Sequence, residues 1–345
     1  MLFVQSNRFD VSTIDVLDWL YFLDGKVNLR ILHDTTVINE IVYKISNDEQ
    51  ENLLLKTDKG KISSKEIDAF WYRRGSFNHA PFINDRTTAI HHSFLTQSFQ
   101  RNFYREREHI GKCLYTLLQH NGKINTYEQN FTNKIANLSA AKKVGLKIPD
   151  TLVTNNFEEV LAFSKKYSKI LTKDIEFDTI NFAYDEVHNV SIYATVTILT
   201  PADVMLLKAE EKENSSSHFS LFQQYIEKKI ELRIFYLNGL FYPMAIFSQE
   251  NEKTKNDFRN YDRERPNRCI PYKLPENIES KLMAFMQEME LDSGSIDMIL
   301  TPEQDYVFLE VNPVGQFQWV SKYCNYDIER QIANQLLNHS HEKKL

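Results

Sequence analysis

Cysteine is scarce in this 345-residue chain, with only Cys113, Cys269 and Cys324. They are far apart, odd in number and form no Cys-x-x-Cys pair. That spacing argues against a disulfide framework or a zinc cluster and points to a reducing, cytoplasmic setting. Glycine and proline are also sparse, at 9 each, which leaves little room for long disordered linkers. No stretch approaches the ~20 apolar residues of a membrane span. Met1 to Ser6 has no basic n-region, so no signal peptide is expected there. A net charge of -6 gives no sign of a nucleic-acid partner. Gly-x-x-x-x-Gly-Lys-Ser/Thr and Gly-x-Gly-x-x-Gly are both missing, so the two commonest glycine-loop modes of nucleotide binding are unsupported. No Ser, His and Asp set stands out for nucleophilic catalysis, and His91 and His92 have no metal-spaced neighbours.

Hydrophobic residues make up 42% of the chain and aromatics 12%, enough for a substantial core. At this length two or three domains are expected. The first ~125 residues read as a small α/β domain. Its strands are Leu2 to Ser6, Asn28 to His33, Glu40 to Ile45, a hairpin around Asp58-Lys59-Gly60, and Asp68 to Arg74. A long helical stretch lies between Arg86 and His120. A central part covers 126–215. It has a helix capped by Thr132 and stopped by Gly145, then a strand Thr151 to Thr154. A helix Phe157 to Tyr167 capped by Asn156, a strand Lys169 to Lys173 and an alternating strand Val190 to Leu199 follow, and Thr200-Pro201 opens another helix. The last part, 216–345, starts with strands Phe219 to Ile226 and Glu231 to Leu237. Asn238-Gly239 turns into Leu240 to Phe247. Residues 249–275 read as a mobile loop, Glu276 to Glu290 and Asp327 to Asn338 as helices.

Chemistry concentrates between Asp297 and Asn312. Two apolar runs flank Thr-Pro-Glu-Gln-Asp, which predicts a β-hairpin. With Pro302 to Asp305 as its loop, Thr301 pairs with Tyr306 and Asp297 lies opposite Glu310. Asn312 then shares the face of Glu310. Directly opposed side chains sit roughly 4.5–5.5 Å apart, and like charges there repel. Such a pair on an apolar strand asks for a cation or a shifted pKa. Carboxylates with an amide carbonyl suit Mg²⁺, which commonly accompanies a nucleoside triphosphate. The competing reading is a wet outer face of the hairpin.

Lys134 and Lys173 could serve as point charges for phosphate oxygens, or be ordinary solvated lysines. Gln223-Gln224-Tyr225-Ile226 offers backbone groups at a strand end, a pattern that suits adenine but is unspecific. Glu231 and Arg233 share a strand face, either for a ligand or as a cross-strand ion pair. Arg259 could clamp developing charge or be merely exposed.

Taken in order, Asn133-Lys134, Thr172-Lys173, Gln223 to Ile226, Glu231-Leu-Arg233, Asp297 and Phe308 to Gly315 resemble the ATP-grasp superfamily. Trp71-Tyr-Arg-Arg74, Phe247-Ser-Gln249, Asp257-Phe-Arg259 and Glu310-Val-Asn-Pro-Val-Gly-Gln316 resemble its graspetide (microviridin-type, grasp-with-spasm) peptide ligases. The resemblance implies an α/β fold with an N-terminal pre-grasp domain and two α+β subdomains clasping ATP. It implies that Lys134 and Lys173 hold phosphates, that Gln223, Gln224, Tyr225 and Ile226 form the adenine hinge, and that Glu231 meets the ribose. Asp297, Glu310 and Asn312 would bind two Mg²⁺ ions, with Arg233 and Arg259 as catalytic arginines. The implied reaction joins Asp or Glu side chains of a ribosomal precursor peptide, leader attached, to Ser, Thr or Lys, in a cytoplasmic homodimer. One departure is plain: Asp174 to Thr179 contains no glycine, where many ATP-grasp enzymes have a glycine-rich lid. The alternatives are another ATP-grasp ligase adding amino acids or tail glutamates, a small-molecule kinase on the same fold, and a non-catalytic nucleotide- or peptide-binding module.

Overall fold

A computed structural model describes residues 1–33, 35–48, 51–75, 78–79, 93–119, 122–130, 133–175, 179–183, 189–193, 196–210, 219–255 and 262–342. The chain forms two compact units. One comprises Met1–Phe131, Glu290–Gly294 and Pro313–Leu345; the other comprises Thr132–Met289 and Ser295–Asn312.

The first unit begins with β1 (Leu2–Ser6), buried at every residue. Continuous burial of this kind belongs to a parallel strand covered on both faces. It pairs in parallel with β2 (Leu29–His33) and β6 (Ala69–Tyr72), and β6 pairs with β8 (Gly122–Lys123). A second sheet holds β3 (Val37–Lys44), β4 (Asn52–Thr57), β5 (Gly60–Ser63) and β7 (Asn78–His79) in the order β5-β4-β3-β7. The core combines Phe3, Leu53, Leu55 and Phe70 with Leu114, Tyr115 and Leu118 from α2 (Ser93–Leu118).

Between β1 and β2 lies α1 (Val11–Leu23), which the sequence reading did not anticipate. Its burial follows hydropathy only in part: Ser12 and Thr13 are buried beside Val16 and Leu20, whereas Val11, Ile14 and Phe22 are exposed. Asp10 caps it, its Oδ2 accepting the Thr13 N–H at 3.2 Å.

The second unit opens with α3 (Lys134–Lys143). Thr132 lies outside the described residues; the cap is Asn133, whose Oδ1 accepts from Ile135 N–H at 2.9 Å and Ala136 N–H at 3.2 Å. Gly145, at φ +80, supplies the left-handed stop. β9 (Thr151–Thr154), α4 (Phe157–Tyr167) and β10 (Ile170–Lys173) follow. The expected single strand from Val190 to Leu199 is two, β12 (Asn189–Tyr193), paired with β11 (Thr179–Ala183), and β13 (Thr197–Leu199). α5 (Pro201–Glu210) starts with Thr200 and Asp203 capping each other. With β14 (Ser220–Gln224), the order is β13-β10-β14-β9.

The largest sheet of the second unit contains β15 (Ile230–Leu237), β16 (Leu240–Phe247), β17 (Arg268–Pro271), β18 (Ser293–Leu300) and β19 (Tyr306–Asn312), ordered β17-β16-β15-β18-β19. Asn238 and Gly239, at φ 40 and 88, make the tight turn between β15 and β16. β17 corrects the expectation of an unpatterned loop over 249–275. Its four residues are too short to show alternation, and pairing with β16 defines them. α6 (Glu276–Glu288) buries Ile278, Leu282, Phe285 and Met286. The chain then returns to the first unit with α7 (Gln318–Cys324), also unanticipated, and α8 (Ile328–Glu342).

Candidate functional site

The β18–β19 hairpin brings Asp297 opposite Glu310, as expected, but by a different register. Tyr306 pairs with Leu300, not Thr301, and the loop spans 301–305. Thr301 N–H donates to Asp305 O at 2.9 Å to close it. The one-residue slip is undone by a bulge: Met298 pairs with Phe308 and Asp297 with Glu310, so Leu309 is the extra residue. Near the bulge, Phe308 N–H donates to Lys147 O at 2.8 Å. Asn312, two residues beyond Glu310, is exposed and pairs with Ser295.

Positive charge meets both carboxylates. Arg233 Nη1, on the neighbouring strand β15, donates to Asp297 Oδ1 at 2.9 Å and Oδ2 at 2.7 Å. The cross-strand pairing of Arg233 is thus realised. Lys173 Nζ, at the end of β10, lies 3.9 Å from Glu310 Oε2. Lys134, the first residue of α3, donates from Nζ to the Asp174 carbonyl at 3.2 Å. Helix α3 thus places Lys134 against the end of strand β10, at the residue that follows Lys173. The same helix supplies Asn137, a residue the sequence did not flag. It is buried, and its Nδ2 donates to Val311 O at 3.4 Å, on the strand between Glu310 and Asn312.

Glu231 is buried on β15. Its Oε1 accepts from Lys228 Nζ at 3.0 Å and Ser248 Oγ at 2.6 Å. Burial pushes this carboxyl above its ordinary value, against the lowering effect of Lys228 and Ser248. At the end of β14, Gln224 N–H donates to Asp150 O at 2.9 Å and Tyr225 N–H to Lys169 O at 3.3 Å. Gln223 is buried and its Nε2 is engaged by Thr151 Oγ1 at 3.0 Å, so it braces the sheet. Lys169 lies 5.7 Å from the Tyr225 ring centroid. Arg259 falls outside the described residues, as do His91 and His92.

The donor set fits a divalent cation. Two opposed carboxylates and an amide oxygen are hard oxygen ligands, and protein cations already lie against both carboxylates. Among the described residues no group of three or more His, Cys, Asp or Glu converges, so such an ion would lean on few protein ligands. Mg²⁺ tolerates this when water and phosphate oxygens complete its shell. Lysines beside carboxylates are the complement of a metal-bound polyphosphate.

Comparison with known proteins agrees with this chemistry. The RimK-like ATP-grasp domain family matches residues 195–336, a span that contains Glu231, Arg233, Asp297, Glu310 and Asn312. The α-aminoadipate–LysW ligase LysX of Sulfolobus acidocaldarius is 25% identical over 210 residues, 59% of this chain and 69% of its own. Among solved structures, macrocyclase MdnC of Microcystis aeruginosa, bound with precursor peptide MdnA, is 25% identical. It matches with a TM-score of 0.72 over 98% of this chain and 100% of its own. The Chryseobacterium gregarium RiPP-associated ATP-grasp ligase, in complex with ADP and a leader and core peptide, matches with a TM-score of 0.73. Its identity is 23%, over 99% of this chain and 96% of its own.

Proposed function

We propose that this chain, an ATP-grasp ligase, is a graspetide macrocyclase that closes rings within a ribosomally made precursor peptide. A side-chain carboxylate of the peptide is activated as an acyl phosphate. A Ser or Thr hydroxyl, or a Lys amine, of the same peptide attacks; the nucleophile loses its proton, phosphate leaves, and an ester or amide closes the ring. The observation that carries the reading is the opposed Asp297–Glu310 pair, set among Arg233, Lys173 and Lys134 on a fold shared end to end with MdnC.

ATP and Mg²⁺ are the cofactors of this fold, and when bound they supply the phosphoryl group and offset its charge. Asp297, Glu310 and Asn312 would hold the metal, for which we propose two ions. Lys134 and Lys173 would take the phosphate oxygens as point charges. Ile226, with the carbonyls beside it, would meet the adenine edge, because the Gln224 and Tyr225 N–H groups are already engaged. Glu231 takes both side-chain contacts on Oε1, and Oε2 would face a ribose hydroxyl. Arg233 would shift from Asp297 toward developing negative charge as the ion takes its place, with Arg259 assisting. Holding both reacting side chains makes closure nearly unimolecular.

The division into a pre-grasp part (1–125), a central subdomain (126–215) and a C-terminal subdomain (216–345) belongs to the same proposal, as do a leader-bearing peptide partner, a homodimer and a cytoplasmic location. Among the described residues no helix is long and apolar enough to cross a membrane.

Mass spectrometry of a Thr/Ser/Lys- and Asp/Glu-rich peptide encoded beside this gene tests the reading. Incubation with ATP and Mg²⁺ should remove one water per bond and add nothing. A gain of one amino-acid residue would favour the second reading, an amino-acid ligase, which the LysX match supports. ATP binding without any change in peptide mass would refute both.

A further inference from the structure

Two stretches that carry the graspetide resemblance, Trp71 to Arg74 and Val314 to Gln316, have no part in the site above. In the first unit they meet. Arg73 is buried; its Nη1 donates to Val314 O at 2.5 Å, and its Nη2 donates to Gly315 O and Gln316 Oε1, each at 3.3 Å. Its Nε faces Asp10 Oδ2 at 3.3 Å, and its guanidinium lies 5.3 Å from the Phe317 ring centroid. Asp10 also accepts from Thr13 Oγ1 at 2.6 Å and Gln316 Nε2 at 3.4 Å. Arg73 therefore has a carboxylate partner.

Arg74 does not. Its Nη2 donates to Val314 O at 3.0 Å, a carbonyl that Arg73 already holds. Among the described residues no carboxylate forms an ion pair with Arg74, and its Nε is buried without a hydrogen-bond partner. Among the described residues Asp10 is the one carboxylate that meets these two guanidinium groups, which outnumber it. On the neighbouring strand end, the Gln5 carbonyl accepts the N–H groups of Arg73 and Arg74 at 2.9 and 3.4 Å. The Gln5 amide is fully buried, yet neither Nε2 nor Oε1 has a partner. Buried amides are nearly always satisfied, so this one calls for a ligand group. Gly75 follows at φ +81, where a Cβ would lie 3.4 Å from Gln5 Nε2 and 2.5 Å from Asn7 Oδ1. Only glycine leaves that approach to the amide open.

These residues stand at the carboxyl ends of β1 and β6, parallel strands of an α/β sheet, which is where such sheets present ligand sites. We propose that Arg74 and the Gln5 amide recognise a carboxylate side chain of the peptide substrate, an inference that rests on the peptide-ligase reading. The unbonded Arg74 Nε–H would donate to a carboxylate oxygen, Gln5 Nε2 would add a second donor, and Gln5 Oε1 would accept a peptide N–H. Arg74 Nη2 is held by Val314, two residues past Asn312 in the sequence.

Full-length protein labelled with ¹⁵N-arginine tests this by NMR, with the Arg74 Nε–H resonance assigned through Arg74→Lys. Acetyl-Glu-N-methylamide is the probe. It should shift that resonance saturably, with acetyl-Gln-N-methylamide, acetyl-Ala and inorganic phosphate binding at least tenfold more weakly. Gln5→Leu, which spares the arginine, should weaken the Glu probe at least threefold. An equal response to the Gln probe, tighter binding of acetyl-Ala or phosphate, or binding unchanged in Gln5→Leu would overturn the proposal. A non-hydrolysable ATP analogue titrated into the same sample reports on the ligase reading separately, so the two failures are told apart.

Discussion

A single nitrogen of Arg233 bridges both carboxylate oxygens of Asp297. Both side chains are largely buried, at 11% and 15% exposure. Breaking a buried pair from one side costs roughly 3–5 kcal/mol, because the surviving charge is stranded. Asp297→Ala should therefore lower stability as well as turnover. Asp297→Asn, which keeps the shape, should cost less stability while still reducing turnover on the order of 10²-fold or more. Urea denaturation of the two variants beside single-turnover kinetics separates the effects. An Asp297→Ala protein as stable as the parent would show that the bridge contributes nothing.

Lys173 and Glu310 face each other at 3.9 Å, within reach of an intervening ligand. Lys173→Ala should weaken a non-hydrolysable ATP analogue about tenfold, which corresponds to roughly 1.4 kcal/mol. Calorimetry measures this directly; an unchanged affinity would take Lys173 out of the phosphate site.

Metal dependence is a sharper test of the hairpin. Chelation with EDTA should stop turnover, and added Mg²⁺ should restore it. Glu310→Gln should raise the Mg²⁺ needed for half-maximal rate by about tenfold or more. An unchanged Mg²⁺ curve in both Glu310→Gln and Asp297→Asn would remove the ligand assignment.

The start of helix α3 sets where Lys134 sits. Asn133→Ala removes two accepted N–H bonds and should cost about 1 kcal/mol of stability. It should also raise the KM for ATP. Asn133→Asp should recover the stability, and recovery of KM alongside it would show that the cap acts through helix geometry.

Acid sensitivity should track Asp10. Burial alone would raise its carboxyl, but Arg73, Thr13, Arg74 and Gln316 together hold it below the ordinary value. A depressed folded value means that the stabilisation is complete above an unfolded pKa of about 3.9 and drains away as pH falls through the folded value. Asp10→Asn should therefore lower the melting temperature near pH 7 and converge with the parent in strong acid. A melting difference that does not vary with pH would exclude this origin.

Legibility was uneven, for physical reasons. Strands such as Leu2–Ser6 and Thr151–Thr154 could be read to the residue because local apolar runs and turn residues define them. The Asp297–Glu310 pairing was reached through a loop one residue too short, which the bulge at Leu309 cancelled. A bulge has no reliable local signature, so register beyond a turn is weakly encoded. Helix α1 was missed because its buried face carries Ser12 and Thr13 and its exposed face carries Ile14 and Phe22. The ATP-grasp resemblance named Lys134 and Lys173 together, but no spacing rule predicts that Lys134 reaches the end of β10. Gln223 was expected to meet the nucleotide through its backbone; the bond of its side chain to Thr151 could not be read without the register of β14 against β9.

The interleaving of the first unit has a consequence for biosynthesis. Its strands β1, β6 and β8 pack against helix α8, which is synthesised after all three of them. At about 5–20 residues per second, the amino-terminal sheet waits on the order of tens of seconds for its final layer. The second unit closes once Asn312 has emerged, so it can mature first. Nascent chains of this protein should accordingly expose an unfinished amino-terminal sheet to chaperones while the second unit is already formed.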